Sequence, residues 1–150
     1  MEKIKERKKQ AYDNMFYSTQ RIDLLVISLS GAGIYVCLET IKHFVGKAQP
    51  CGLLIKISGF IFVVAITLNF LSQHFGYKAN ESDYLMCDAD LDLKDPGCDE
   101  NKREDFQLEF DRYDQLAEKY SSLTKVLNAS SMIALIVGLL SILAFFAITF

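Results

Sequence analysis

Hydrophobic and charged positions hardly mix along this chain. Three windows, 22–45, 51–71 and 126–150, cover just under half of it yet hold only four charges, Asp23, Glu39, Lys42 and Lys56. Every other Lys, Arg, Asp and Glu lies outside them. A helix on the surface of a soluble globule would return to charge every turn or two. Residues 126–150 carry none, and at ~1.5 Å per residue they exceed a ~30 Å hydrocarbon core. Residues 51–71 are long enough too, with Lys56 near one end, where its stem can carry the ammonium to the headgroups. The first window is shorter in its apolar part. Its uncharged run, Leu24–Leu38, covers only about 22 Å, so Asp23 and Glu39 are expected at or just inside the two interfaces. A cleaved signal peptide does not fit this window, because no small-x-small site follows Leu38. The pattern predicts an all-α, three-span transmembrane helical protein.

Between the second and third windows the one strong breaker is Asp95-Pro96-Gly97. Helical periodicity flanks it on both sides. Tyr77, Tyr84 and Leu91 recur every seven residues. Beyond the breaker, Phe106, Phe110, Tyr113, Ala117, Tyr120, Thr124 and Leu127 alternate steps of four and three, a coiled-coil seam. Residues 72–125 are therefore expected to form an antiparallel helical hairpin with its turn near 95–100. Span two would continue to about Leu93, and a second helix would run from about Asn101 into span three. Folding at Pro96-Gly97 would bring Tyr84 near Phe110 and Tyr77 near Ala117, with Gly76 the expected kink.

Composition adds that the chain is not disordered: 51% of it is hydrophobic, with 11 Phe and 7 Tyr. Charge sets the expected orientation. Residues 1–21 carry six Lys and Arg, the short loop after span one only Lys47, and residues 72–125 seven more. The positive-inside rule then puts the N-terminus and the hairpin in the cytoplasm and the C-terminus outside. The hydrophobic end at Phe150 is expected at or within the outer leaflet. From Glu81 to Glu118 there are fourteen acidic and four basic residues, which argues against nucleic-acid binding by the hairpin. The basic N-terminal helix, 1–21, has an apolar stripe of Ile4, Ala11, Tyr12, Met15 and Phe16. It is expected either to pack along the acidic hairpin or to lie on anionic headgroups.

Candidate chemistry is sparse. Asp88, Asp90, Asp92 and Asp99 echo a calcium loop, but Leu93 stands where Gly is needed and Pro96 interrupts it. The four cysteines, Cys37, Cys51, Cys87 and Cys98, lack zinc spacing. In the inverted orientation, Cys87 and Cys98 could pair as a disulfide. His43 and His74 sit at opposite interfaces without a nucleophile at useful spacing. The reading is therefore a non-enzyme with no cofactor and no metal site.

Three groups of residues are the candidate sites. A hairpin centred between Lys47 and Ala48 places Glu39 opposite Lys56, so an ion pair between spans one and two is expected, as a structural clamp. Small residues recur every four positions at Ser130, Ala134 and Gly138 in span three and at Ser28 and Ala32 in span one. Such strips form a helix-packing or oligomer face in lipid. Last, Arg21, Asp23, Asn69, Gln73, His74 and Asn128 should gather at the inner boundary. They would be either ordinary interfacial groups or the cytoplasmic mouth of an oligomeric pore.

The layout of basic N-terminal helix, tight two-span hairpin and cytoplasmic helix resembles the SLATT-type membrane effectors of bacterial defence systems. The words Arg21-Ile-Asp23-Leu-Leu-Val-Ile-Ser28 and Ser72-Gln-His-Phe-Gly76 also look like those of small bacterial membrane proteins. A third span after the long hairpin departs from the two-span pattern. The resemblance implies an oligomeric inner-membrane effector that permeabilises or conducts when a soluble cytoplasmic partner signals, in antiviral defence. Two rivals remain open: a non-conducting membrane anchor or regulatory subunit, and a holin-like protein.

Overall fold

In the computed structural model the backbone is described over residues 2–44, 52–94 and 100–150, and side-chain surroundings over 20–44, 52–94 and 103–150. The chain is all-α. Helix α1 runs Glu2–His43, α2 Gly52–Lys94 and α3 Glu100–Thr149. At ~1.5 Å per residue each is roughly twice as long as a hydrocarbon core is thick, so each has stretches for two solvents. The apolar stretches fall within Gln20–His43, Gly52–Lys94 and Arg103–Thr149, with mean hydropathy of 1.9, 2.2 and 2.7 over their best windows. All three are long and apolar enough to cross a membrane, and a continuous helix satisfies its own backbone hydrogen bonds there. The expected turns around Lys47–Ala48 and Asp95-Pro96-Gly97 lie outside the described residues, as do the arm's apolar side chains, Cys51, Cys98 and Asp99.

Contacts divide the chain into two units, Met1–Asn69 with Ser130–Phe150, and Phe70–Ala129. The first unit holds the apolar stretches of all three helices. Its core joins Val26, Cys37, Ile55, Phe62, Ala65, Leu135 and Phe145. Among these stand fully buried hydroxyls and an amide: Ser30, Ser58, Asn69 and Ser131. Meanwhile Leu24, Leu53, Phe60, Ile133 and Leu143 point outward. Only 22%, 28% and 22% of the three apolar windows is buried within the chain. Water would not tolerate so large an apolar surface, whereas in lipid the large side chains face the tails and small ones let backbones approach.

The second unit is a helix pair with a different logic. On α3, Phe106, Phe110, Tyr113, Ala117, Tyr120 and Thr124 are half-buried along one seam. On α2 the facing seam is Ser72, Phe75, Ala79, Ser82, Met86, Ala89 and Leu93, with Ser72, Ser82 and Ala89 fully buried. The α2 seam thus mixes small residues with Phe75, Met86 and Leu93. Phe75 stacks on Tyr120 with centroids 6.0 Å apart and rings 22° from parallel. Ser72 Oγ donates to the Thr124 carbonyl at 3.1 Å. A Cβ on Gly76 would lie 3.6 Å from Thr124 Cγ2. That glycine, expected as a kink, falls inside a helix that continues to Lys94 and marks a close approach.

The α2 seam corrects the sequence expectation. Tyr77, Tyr84 and Leu91 do not face α3: they are 63%, 70% and 68% exposed. Each lies two residues, about 200° of helix rotation, beyond Phe75, Ser82 and Ala89, and so on nearly the opposite face.

Candidate functional site: a polar and glycine-lined interior in the membrane unit

Small residues lie against large ones in the interior of the first unit. Phe62 of α2 is fully buried, with a glycine against each edge of its ring. A Cβ on Gly33 of α1 would come within 2.5 Å of Phe62 Cε2, and one on Gly138 of α3 within 2.7 Å of Cε1. The ring therefore cannot swing away from one helix without meeting the other. A third close approach is Gly59 to Cys37, where a Cβ would make ordinary contact at 3.5 Å.

Gly138 thereby separates from the strip to which its spacing assigned it. It packs inside the chain, and Phe62 already occupies the space a partner helix would need. Ser130 and Ala134 behave differently. With Phe60, Ile61, Val64 and Ile133 they line an apolar groove of about 440 Å³ between α2 and α3. On α1, Ser28 and Ala32 are exposed, and nothing lies within 4 Å of a Cβ built on Gly31.

The expected clamp is replaced by a local pair. Glu39 Oε1 accepts from Lys42 Nζ at 2.7 Å, one turn along the same helix, instead of from Lys56. An i,i+3 pair forms without ordering a second helix. Lys56 instead borders a second groove of about 250 Å³, with Ile34, Cys37 and Ile41 of α1 and Ile55 and Gly59 of α2.

Of the six residues expected at the inner boundary, the structure joins Asp23 and Asn69 directly. Asn69 Nδ2 donates to Asp23 Oδ1 at 2.8 Å, linking α1 to α2. Asn69 is fully buried and Asp23 half-buried. Arg21 lies in the same unit, while Gln73, His74 and Asn128 belong to the second. The buried Ser58 Oγ returns to its own helix, donating to Leu54 O at 2.9 Å, as does the exposed Thr67 Oγ1 to Val63 O at 2.9 Å. Ser30 Oγ is a buried hydroxyl without a hydrogen-bond partner among the described residues.

In the second unit, Lys78 Nζ donates to Glu81 Oε2 at 2.8 Å. That bond, together with the Glu81 charge, holds the Lys78 ammonium above its ordinary range. Asp90 pairs with Lys94. Asp88, Asp90 and Asp92 stand on helix α2, and among the described residues no three His, Cys, Asp or Glu side chains converge as a metal site. Cys37 is a buried free thiol and Cys87 an exposed one.

These features define a class: an all-α protein with three candidate membrane spans, which points to a multi-pass membrane protein. No protein-family model matches the chain, and no match appears among curated proteins or solved structures.

Proposed function

We propose that this chain is an oligomeric inner-membrane protein of bacteria whose spans form a pore or a membrane-perturbing assembly, controlled through its cytoplasmic acidic hairpin. The observation that supports this reading most is the division of small residues between inside and outside. Gly33 and Gly138 are filled by Phe62 within one copy. The space beside that ring is therefore taken within one copy, and on this reading conduction arises between copies. Ser28, Gly31 and Ala32 on α1, and the groove bordered by Ser130 and Ala134, leave outward surfaces on which helix backbones of other copies can approach. The likeness to SLATT-type effectors supplies the antiviral context and the signal from a soluble partner. Basic residues at 1–21 and 72–125 support a cytoplasmic N-terminus and hairpin and an outer C-terminus.

Planar bilayers containing the purified protein test the reading. Discrete conductance steps that disappear when the oligomer is dispersed are the expected result. A second reading, a non-conducting anchor or regulatory subunit, is favoured by the same filled interior and by the exposed aromatic face of the hairpin. Electrical silence from an intact oligomer would decide for it. The holin-like alternative draws no support from the geometry.

A further inference from the structure

The largest unexplained feature of the second unit is the outward face of α2. Tyr77, Tyr84 and Leu91 repeat every seven residues and stay largely exposed in the single chain. Their period is that of a helix-packing seam, yet α3 packs on nearly the opposite side. Charges interleave with this stripe at Lys78, Glu81, Asp83, Asp88, Asp90 and Asp92, so acyl chains cannot cover it. Its acidity repels anionic headgroups. Glu81 and Asp90 have lysine partners, whereas Asp83 and Asp88 are exposed with no ion-pair partner among the described residues. The face therefore calls for a basic amphipathic helix. A second α2 would set Asp83 and Asp88 against their own copies.

The chain itself carries such a segment. Lys3, Lys5, Arg7, Lys8 and Lys9 lie in the first part of α1, which is helical from Glu2. The Asp23–Asn69 bond fixes a common depth for α1 and α2. Counted along each helix from that bond, Lys9 and Asp83 are equally far away, and Lys3 and Asp90 differ by a single position. The basic cluster of α1 and the acidic cluster of α2 thus lie about equally many residues from that bond. The stripe stays bare in the single chain, so its cover comes from elsewhere.

We propose that the basic arm of one copy docks on the Tyr77–Tyr84–Leu91 face of a neighbouring copy's hairpin, joining protomers head to tail. This rests on the oligomeric reading above and names the contact that would make it. A heterologous contact of this kind closes into a ring when its rotation permits, and screening by salt should loosen it.

Disulfide trapping in native membranes tests it with two differently tagged chains, both bearing Cys37→Ala, Cys51→Ser and Cys98→Ser. One keeps Cys87, three residues beyond Tyr84; the other carries Ile4→Cys with Cys87→Ser, since residue 4 is as many positions from Asp23 as residue 88 is from Asn69. Oxidation should give a mixed-tag dimer, diminished at least about five-fold by Asp83→Lys with Asp88→Lys, a loss of about 1 kcal/mol of contact. Three outcomes would overturn the proposal: a self-dimer of the Cys87 chain matching the mixed one, an intramolecular bond in a chain holding both cysteines, or no bond although the oligomer persists. Molar mass in detergent keeps the two ideas apart. An oligomer lacking the arm contact defeats the docking alone, whereas a chain monomeric throughout defeats the oligomeric reading as well.

Discussion

Phe62 has no direction in which to yield, because Gly33 and Gly138 approach it from opposite edges. Replacing either glycine overfills the interior, a change that typically costs about 1–3 kcal/mol. Gly138→Leu should lower the unfolding midpoint in detergent, and Phe62→Ala should recover part of that loss in the double variant, since residues in contact couple. Additive losses would show that the ring and the glycine do not share a space. Ser30 makes the opposite case. Its buried hydroxyl has no partner among the described residues, and an unsatisfied buried polar group costs about 1–3 kcal/mol. Ser30→Ala should leave stability unchanged or raise it by up to about 1 kcal/mol; a clear loss in the same unfolding assay would mean that the hydroxyl is bonded. Asn69→Leu should be worse than either, because it removes the donor that Asp23 uses to link α1 and α2. A hydrogen bond to a charged group is worth about 1.5–3 kcal/mol, and an Asn69→Leu protein as stable as the parent would refute that bond.

At the scale of elements, the three helices were legible because lipid imposes its own arithmetic: long runs without charge, separated by charged arms. The breaker Asp95-Pro96-Gly97 falls in the gap between α2, which ends at Lys94, and α3, which begins at Glu100. The α3 seam was legible as well, since its aromatic residues face the partner helix. Its mate on α2 was not. Choosing the seven-residue recurrence selected Tyr77, Tyr84 and Leu91, but the buried seam mixes the small residues Ser72, Ala79, Ser82 and Ala89 with Phe75, Met86 and Leu93. Steps of three and four through all seven were the usable signal. The Glu39–Lys56 pairing failed for a related reason. Spacing alone put Glu39 across from Lys56, whereas Lys42, one turn away, claims it; for Gly138 spacing left packing within or between copies open, and Phe62 fills the space beside it within the chain. The two seams make a paired prediction for thermal unfolding. Tyr120→Ala removes a ring stacked on Phe75 and should cost about 1–2 kcal/mol. Tyr84→Ala, on the bare face, should stay within about 0.5 kcal/mol. Equal losses would restore Tyr84 to the seam.

At the scale of the molecule, everything depends on what solvates the first unit. Large apolar side chains outside and serines, glycines and an Asn–Asp bond inside are stable in lipid, and the same arrangement in water would aggregate. The second unit carries the charges, with an acidic face suited to a soluble environment. In the proposed arrangement, three passes put residues 72–125 on one side of the membrane and residues 45–51 on the other. Thiol labelling of intact cells with a membrane-impermeant maleimide measures this arrangement directly, using chains whose sole cysteine is either Cys87 or an introduced Ala48→Cys. Residue 48 should be labelled from outside, while Cys87 should react only after the inner membrane is opened. Labelling of both from the same side would contradict the three-pass arrangement, and labelling of Cys87 alone from outside would contradict its orientation.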